Sequence, residues 1–425
     1  MSFAKSLLLL LGAVICFNLT ASEQKKEDKL LASARAGDAQ SQLLLADEYF
    51  FGRNNRKVNP QLAAYWYRKS ASDGNARAQF NYGVCCLKGW GVPASPQTGF
   101  LWISRAAEQG VEEALIIQAE LLFRGLEAEL DSERRFPSKS AEPEKALAIL
   151  RKLVSRKSAR AAKALARLLL SDTSLRVKHS FELRDCAAKA VRSTPRDVES
   201  VLIYSTVLQN GIGGATDMKK AISLLHEIED ISPEAMARLS EIYEYGLSVA
   251  PDPERALTLC FRAVKMGSPR AMLALGNRYL EANRVGHDPA KAVKLFTQAW
   301  SAGYPGGASS LGKCYLNAIG TEKNIDKAFE LFMQGANLGD PESQYQLGLC
   351  FKNGIGCSRD TAGAVHWFKS AASSGHADAS RELGISLIRG EGTEQNIPYG
   401  RELLRAAARK GDVKAIEFLQ GKESI

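Results

Sequence analysis

The chain has 425 residues, 45% of them apolar, 24% charged and 8% aromatic, with a formal charge of +9. That balance belongs to a folded, helix-rich protein and excludes a disordered or fibrous chain. The length is too great for one compact core, a conflict that disappears if the core grows by stacking repeats.

Residues 1–21 stand apart from the rest. Lys5 is followed by the apolar run Leu7 to Phe17 and then by Leu19-Thr20-Ala21, whose small last residue suits cleavage. This is the pattern of a secretory signal peptide. The run falls short of the about 20 residues that span a membrane, and no later stretch approaches that length. The expectation is a cleaved signal, with an uncleaved N-terminal anchor as the alternative. Cys16 follows the large Ile15 and does not suit lipidation. Signal removal would leave Cys85, Cys86, Cys186, Cys260, Cys314, Cys350 and Cys357, an odd number that cannot pair fully within one chain.

From residue 38 a fixed spacing takes over, giving a predicted repeat array over 22–421. Residues 38–74 carry Leu45-Ala46, Tyr49 and Gly52 in their first half and Tyr65-Trp66-Tyr67 in their second. Residues 75–110 repeat this with Tyr82-Gly83, Gly89-Trp90-Gly91-Val92 and Trp102. Each half has apolar residues at helical spacing, so every unit reads as two helices joined by a glycine-containing loop. Gly89, Gly354 and Gly390 fall where a left-handed residue ends the first helix, and Gly74, Gly110, Gly267, Gly303, Gly339, Gly375 and Gly411 end the second in the same way. Cys85, Cys314 and Cys350 share one repeat position on the inner face of the first helix and read as small buried hydrophobes.

The third unit, 111–158, carries an insertion at 126–142 that is longer and more charged than the other loops. Insertions of this kind enter loops on one face of a repeat array, often the binding face. Units 159–196 and 197–231 keep a helical period but lose most of the glycine marks. Lys145 to Arg192 contains thirteen Lys and Arg against three Asp and Glu. Within it Arg160, Lys163 and Arg167 share a helical face opposite Leu165 and Leu169, a candidate surface for an acidic partner, glycan or lipid headgroup. Regularity returns in 232–267, 268–303, 304–339, 340–375 and 376–411, with a polar terminal cap at 412–421. The units 304–339 and 340–375 align position by position: Leu311-Gly312 with Leu347-Gly348, Cys314 with Cys350, Ala328 with Ala364, Phe332 with Phe368 and Gly339 with Gly375. A period of 36 residues is the mark of a solenoid.

The recurring Leu-Gly, Tyr, Gly-x-Gly-Val, Lys-Ala, Trp-Tyr/Phe, Lys-Ala-Ala and Gly resembles the Sel-one-like repeat (SLR) family, relatives of the tetratricopeptide repeats. The match is fullest in 75–110 and 268–411. The resemblance implies an all-α fold, a right-handed superhelix of about ten helix-turn-helix repeats, and work as a scaffold or adaptor. In bacteria such proteins are often exported and bind host or envelope proteins, and a cysteine-rich secreted branch has been linked to penicillin binding. This chain lacks that branch's paired cysteines in each repeat, so disulfide stapling of every unit is not expected.

No catalytic or metal motif survives inspection. Gly307 to Lys313 nearly spells a phosphate-binding loop but ends in Cys314 and falls inside a predicted helix, where that loop must join a strand to a helix. Ser310 and Lys313 have the S-x-x-K spacing of serine β-lactamases without the accompanying S-D-N or K-T-G. His179, His226, His287, His366 and His376 are scattered. Neither zinc-finger nor stacking-sheet signatures point to nucleic acid. The sequence therefore predicts a non-enzymatic scaffold without metal or cofactor, periplasmic or secreted, binding a protein on the concave surface lined by the first helix of each pair. The alternatives are an envelope hydrolase of the penicillin-interacting type and an electrostatic binder of acidic glycans or lipid surfaces through residues 145–192.

Overall fold

A computed structural model of the chain describes residues 29–125, 141–409 and 411–420. The signal at 1–21, residues 126–140 of the insertion and Gly421 of the cap lie outside the described residues. Two compact units divide the chain: residues 1–195 with 212–214, and residues 196–211 with 215–425.

Helix starts follow from local chemistry. Most first helices open on a residue whose side chain accepts the orphan N–H of the first turn, as Asp38 does from Ser41, Asn75 from Ala78, Ser158 from Ala161 and Asp340 from Ser343, while Val111 and Tyr304 provide no such bond. Several second helices open on a polar residue followed by proline, Asn59-Pro60, Ser95-Pro96, Asp252-Pro253 and Asp288-Pro289, where the proline ring is pre-set for the first helical position. Seven of the first helices stop at a residue in the left-handed conformation, Gly52, Gly89, Gly246, Ala282, Ala318, Gly354 and Gly390, whereas Glu112–Arg124, Ala159–Ser171 and Val198–Gln209 end otherwise.

The first unit stacks four hairpins: Ala39–Phe51 with Pro60–Ser72, Ala76–Lys88 with Pro96–Glu108, Glu112–Arg124 with Pro143–Ser155, and Ala159–Ser171 with Ser180–Ser193. A short helix, Thr173–Lys178, is inserted in the last of these. The second unit stacks six: Val198–Gln209 with Met218–Glu227, Pro233–Tyr245 with Pro253–Lys265, Pro269–Glu281 with Pro289–Ser301, Pro305–Asn317 with Ile325–Asn337, Pro341–Asn353 with Thr361–Ser373, and Ala377–Arg389 with Ile397–Arg409. The helix Val413–Leu419 closes it. Among the described residues there is no strand, and no helix is long and apolar enough to cross a membrane.

Packing within a hairpin uses the Leu-Gly pair. Leu311, Leu347 and Leu383 are buried, while the glycine that follows each lets the second helix press against the first. A β-carbon added at Gly312 or Gly348 would lie 2.5 Å from the ring of Phe332 or Phe368, both fully buried. Neighbouring hairpins are tied by a repeated glutamine. Gln42, Gln79 and Gln344 donate through Nε2 to the carbonyls of Ala34, Ala71 and Ala336, eight residues back on the preceding helix. Cys85, Cys314 and Cys350 are buried in this core as unpaired thiols. Their shared repeat position thus serves packing.

Candidate partner-binding surface

The exposed side chains of the first helices are the candidate partner-binding surface within each unit, and charge is handled differently in the two units. In the second unit most charged groups on this surface are tied to the next hairpin. Arg270 bridges Glu234 at 3.0 Å and Glu241 at 3.2 Å, and Arg278 meets Glu244 at 2.9 Å. Further on, Lys313 and His376 share Glu342, Lys352 meets Glu382, and Arg381 meets Asp412. Burial raises the Glu342 pKa, but the hydrogen bond from His376, the charge of Lys313 and the hydrogen bond from Gln346 outweigh it and hold the carboxyl at about 2. A groove of about 340 Å³ in this unit is lined by Thr206, Arg238, Glu241 and Arg270. It is polar, and its guanidiniums are already bonded to Glu234, Glu241 and Thr206.

Arg160, Lys163 and Arg167 lie together on the outer side of Ala159–Ser171, with Leu165 and Leu169 buried on the other side. Arg160 is ion-paired with Glu113 at 2.7 Å and Arg167 with Glu120, both from the preceding first helix. These exposed pairs add little stability. They do neutralise two of the cations on this face, a part of the surplus that the local charge count implies. The S-x-x-K residues are parts of one continuous helix, Pro305–Asn317, in which Lys313 reaches Glu342 at 3.3 Å. Gly312 faces Phe332 there, so this segment contributes to hairpin packing.

The first unit contains a different feature. A groove of about 340 Å³ runs across the first helices of three successive hairpins, lined by Phe50, Phe51, Phe80, Val84, Ile117 and the loop residue Trp90. Asp47, Tyr67, Arg77 and Asn81 supply its polar atoms. Phe51 is 54% exposed and Trp90 46%. The rings are arranged as a wall: Phe50 meets Phe51 edge-on at 5.0 Å, Trp90 at 5.5 Å and Tyr67 at 6.2 Å between centroids. Arg53 stacks over Phe51 at 4.6 Å and Arg77 over Phe80 at 5.3 Å.

Polar atoms in the groove are held firmly. The Tyr67 hydroxyl donates to Asp47 Oδ1 at 2.5 Å. Burial, and then the Asp47 hydrogen bond and charge, push the Tyr67 pKa far above its ordinary value, which keeps the phenol a donor. Burial, with the neighbouring Cys86, pushes the Cys85 thiol up to about 12, so it is a weak nucleophile. The arrangement suits recognition of an apolar surface bearing polar groups.

Sequence reasoning passed over this groove, although a signal was present. Phe51 occupies the last position of its first helix, where later hairpins have Lys88, Asn317, Asn353 and Arg389. Tyr245 is the other aromatic at this exposed position, and Phe51, which lacks a hydroxyl, marks a departure that packing does not require.

The Sel1 repeat family model matches residues 39–75, 76–111, 233–268, 269–304, 307–340, 341–376 and 377–412. Among solved structures, the chain is similar to a protective antigen of uropathogenic Escherichia coli that displays an SLR fold, at 20% identity over 92% of this chain and 88% of that one, with a TM-score of 0.44. A Sel1 repeat protein of Oxalobacter formigenes is 22% identical over 52% of this chain and 87% of its own, with a TM-score of 0.42. Yeast Tom70 is 12% identical over 90% of this chain and 95% of its own, with a TM-score of 0.37. No curated protein matches the sequence.

Proposed function

The chain belongs to the Sel1 repeat family, and from that premise we propose that it is an exported, non-enzymatic scaffold that holds a protein partner against the first helices of its repeats. Sel1 repeats build α-solenoids, a fold typically used for protein interaction. The observation that carries the reading here is the aromatic groove of the first unit, with Phe51 and Trp90 left half in water. Apolar surface of this kind, rimmed by charge, is where interfaces gain most of their free energy. Export rests on the sequence of residues 1–21 alone.

Two measurements test this. N-terminal sequencing of the chain purified from its own cells should begin near Ser22; an intact Met1 together with a cytoplasmic location would remove export. Crosslinked capture from the cell envelope, followed by mass spectrometry, should recover a specific protein that Trp90→Ala fails to retain. Recovery of no specific protein by the unaltered chain would sink the scaffold reading.

A further inference from the structure

The groove's charges do not balance as those of the neighbouring first helices do. Arg77 has an acid beside it, Glu113 at 3.6 Å, and Arg53 lies outside on Phe51. Asp47 has a phenol at Oδ1, and among the described residues no cation pairs with it and Oδ2 has no hydrogen-bond partner. A half-buried carboxylate thus stands at the foot of a wall built from Phe50, Tyr67 and Trp90. Carboxylates so placed gain from a cation, because the aromatic surroundings weaken solvent screening. Aromatic faces attract the same cation through their quadrupoles. The chain displays this chemistry twice at the rim, where its own guanidiniums rest on Phe51 and Phe80.

We propose that this groove takes a basic side chain, Lys or Arg, projecting from an otherwise apolar segment of a partner polypeptide. The alkyl stem lies along Phe50 and Trp90, as long basic side chains do on apolar surface, and the charged head reaches Asp47 Oδ2. Tyr67 is the positioning residue. Its donated hydrogen bond fixes the carboxylate and leaves the second oxygen turned to the ligand. The inference rests on the scaffold reading, and it adds what the partner must present.

The test uses the full chain and short fluorescent apolar peptide pools that differ only at one central residue: lysine, norleucine or glutamate. Anisotropy should show the lysine pool binding roughly tenfold more tightly than the norleucine pool, with the glutamate pool weakest and the lysine advantage shrinking as salt is raised. Asp47→Asn, which keeps the acceptor for Tyr67, should abolish that advantage while leaving the thermal melt unchanged. Trp90→Ala should weaken the lysine and norleucine pools alike. Equal binding of these two pools, or a lysine preference that survives Asp47→Asn, would overturn the basic-side-chain assignment. If both pools then still depended on Trp90, the groove would stand as a docking surface without it. Absence of binding by every pool at millimolar concentration would overturn the inference, and envelope capture would decide the scaffold reading separately.

Discussion

Replacing Gly348 by alanine sets two effects of similar size against each other. Gly348 lies within the helix Pro341–Asn353, where alanine is favoured over glycine by about 1 kcal/mol. The new methyl, however, would sit 2.5 Å from Phe368 Cε1, 2.7 Å from Cδ1 and 3.2 Å from Cζ. Carbon atoms rest at about 3.5–4.0 Å, so the overlap is about 1 Å, and the ring is fully buried among Ala364, Leu383 and Leu387. Overpacking of this sort costs about 1–3 kcal/mol. With a clash toward the upper end of that range, the net expectation is a loss of about 1–2 kcal/mol. Phe368→Leu should cost less in the Gly348→Ala background than alone, with a coupling of about 1 kcal/mol. Because a repeat array can open in parts, urea unfolding should be paired with hydrogen exchange at the amides of Pro341–Asn353 and Thr361–Ser373. Stabilisation by Gly348→Ala, or strict additivity of the two substitutions, would show that the glycine is not there to admit the ring.

Other expectations follow from caps and charges. Ala282 and Ala318 end their first helices in the left-handed conformation, with φ of 54° and 55°, so Ala318→Gly should stabilise the second unit by about 1 kcal/mol in urea unfolding. Arg381 is buried against Asp378, Glu382 and Asp412, and Arg381→Ala should cost about 3 kcal/mol or all of the local stability, whichever is less. Hydrogen exchange in Val413–Leu419 would register it, and unchanged protection there would contradict the pairing. Glu342, held at about 2 against an ordinary 4.5, contributes stability that is present above about pH 4.5 and lost as pH falls toward about 2. Glu342→Gln should flatten that part of the acid limb of the second unit's stability profile.

Much of the fold was legible because packing and capping recur at fixed positions. Gly89, Gly354 and Gly390 do adopt the left-handed conformation, and Gly276, Gly312 and Gly348 of the Leu-Gly pairs face the second-helix rings of Phe296, Phe332 and Phe368. Ala282 and Ala318 escaped notice because the loop geometry demands a left-handed residue even where the sequence supplies alanine. The repeated Gln42, Gln79 and Gln344 were visible as letters, but their bonds to a buried carbonyl on the previous helix depend on how hairpins stack. Charge was the least legible property. A surplus counted along Lys145 to Arg192 misses acids more than forty residues earlier, and Arg160 and Arg167 pair with Glu113 and Glu120 at separations of 47 residues.

The same logic explains why the proposed binding surface departs from the repeat. An internal hairpin must satisfy a neighbour on each side, which fixes its glycines, alanines and core rings and leaves mainly the outward positions of the first helix free to vary. Where those positions hold matched charges, as from Arg270 to Arg381, the stack satisfies itself. A partner would have to break existing pairs and desolvate their members to bind there. At Asp47, Phe51 and Trp90 that cost is smaller: the rings are partly in water and the carboxylate has a phenol in place of a cation, so no ion pair of Asp47 has to be broken. Binding free energy is therefore more readily gained on the first unit's groove than on the ion-paired second unit, although both present the same repeated helices.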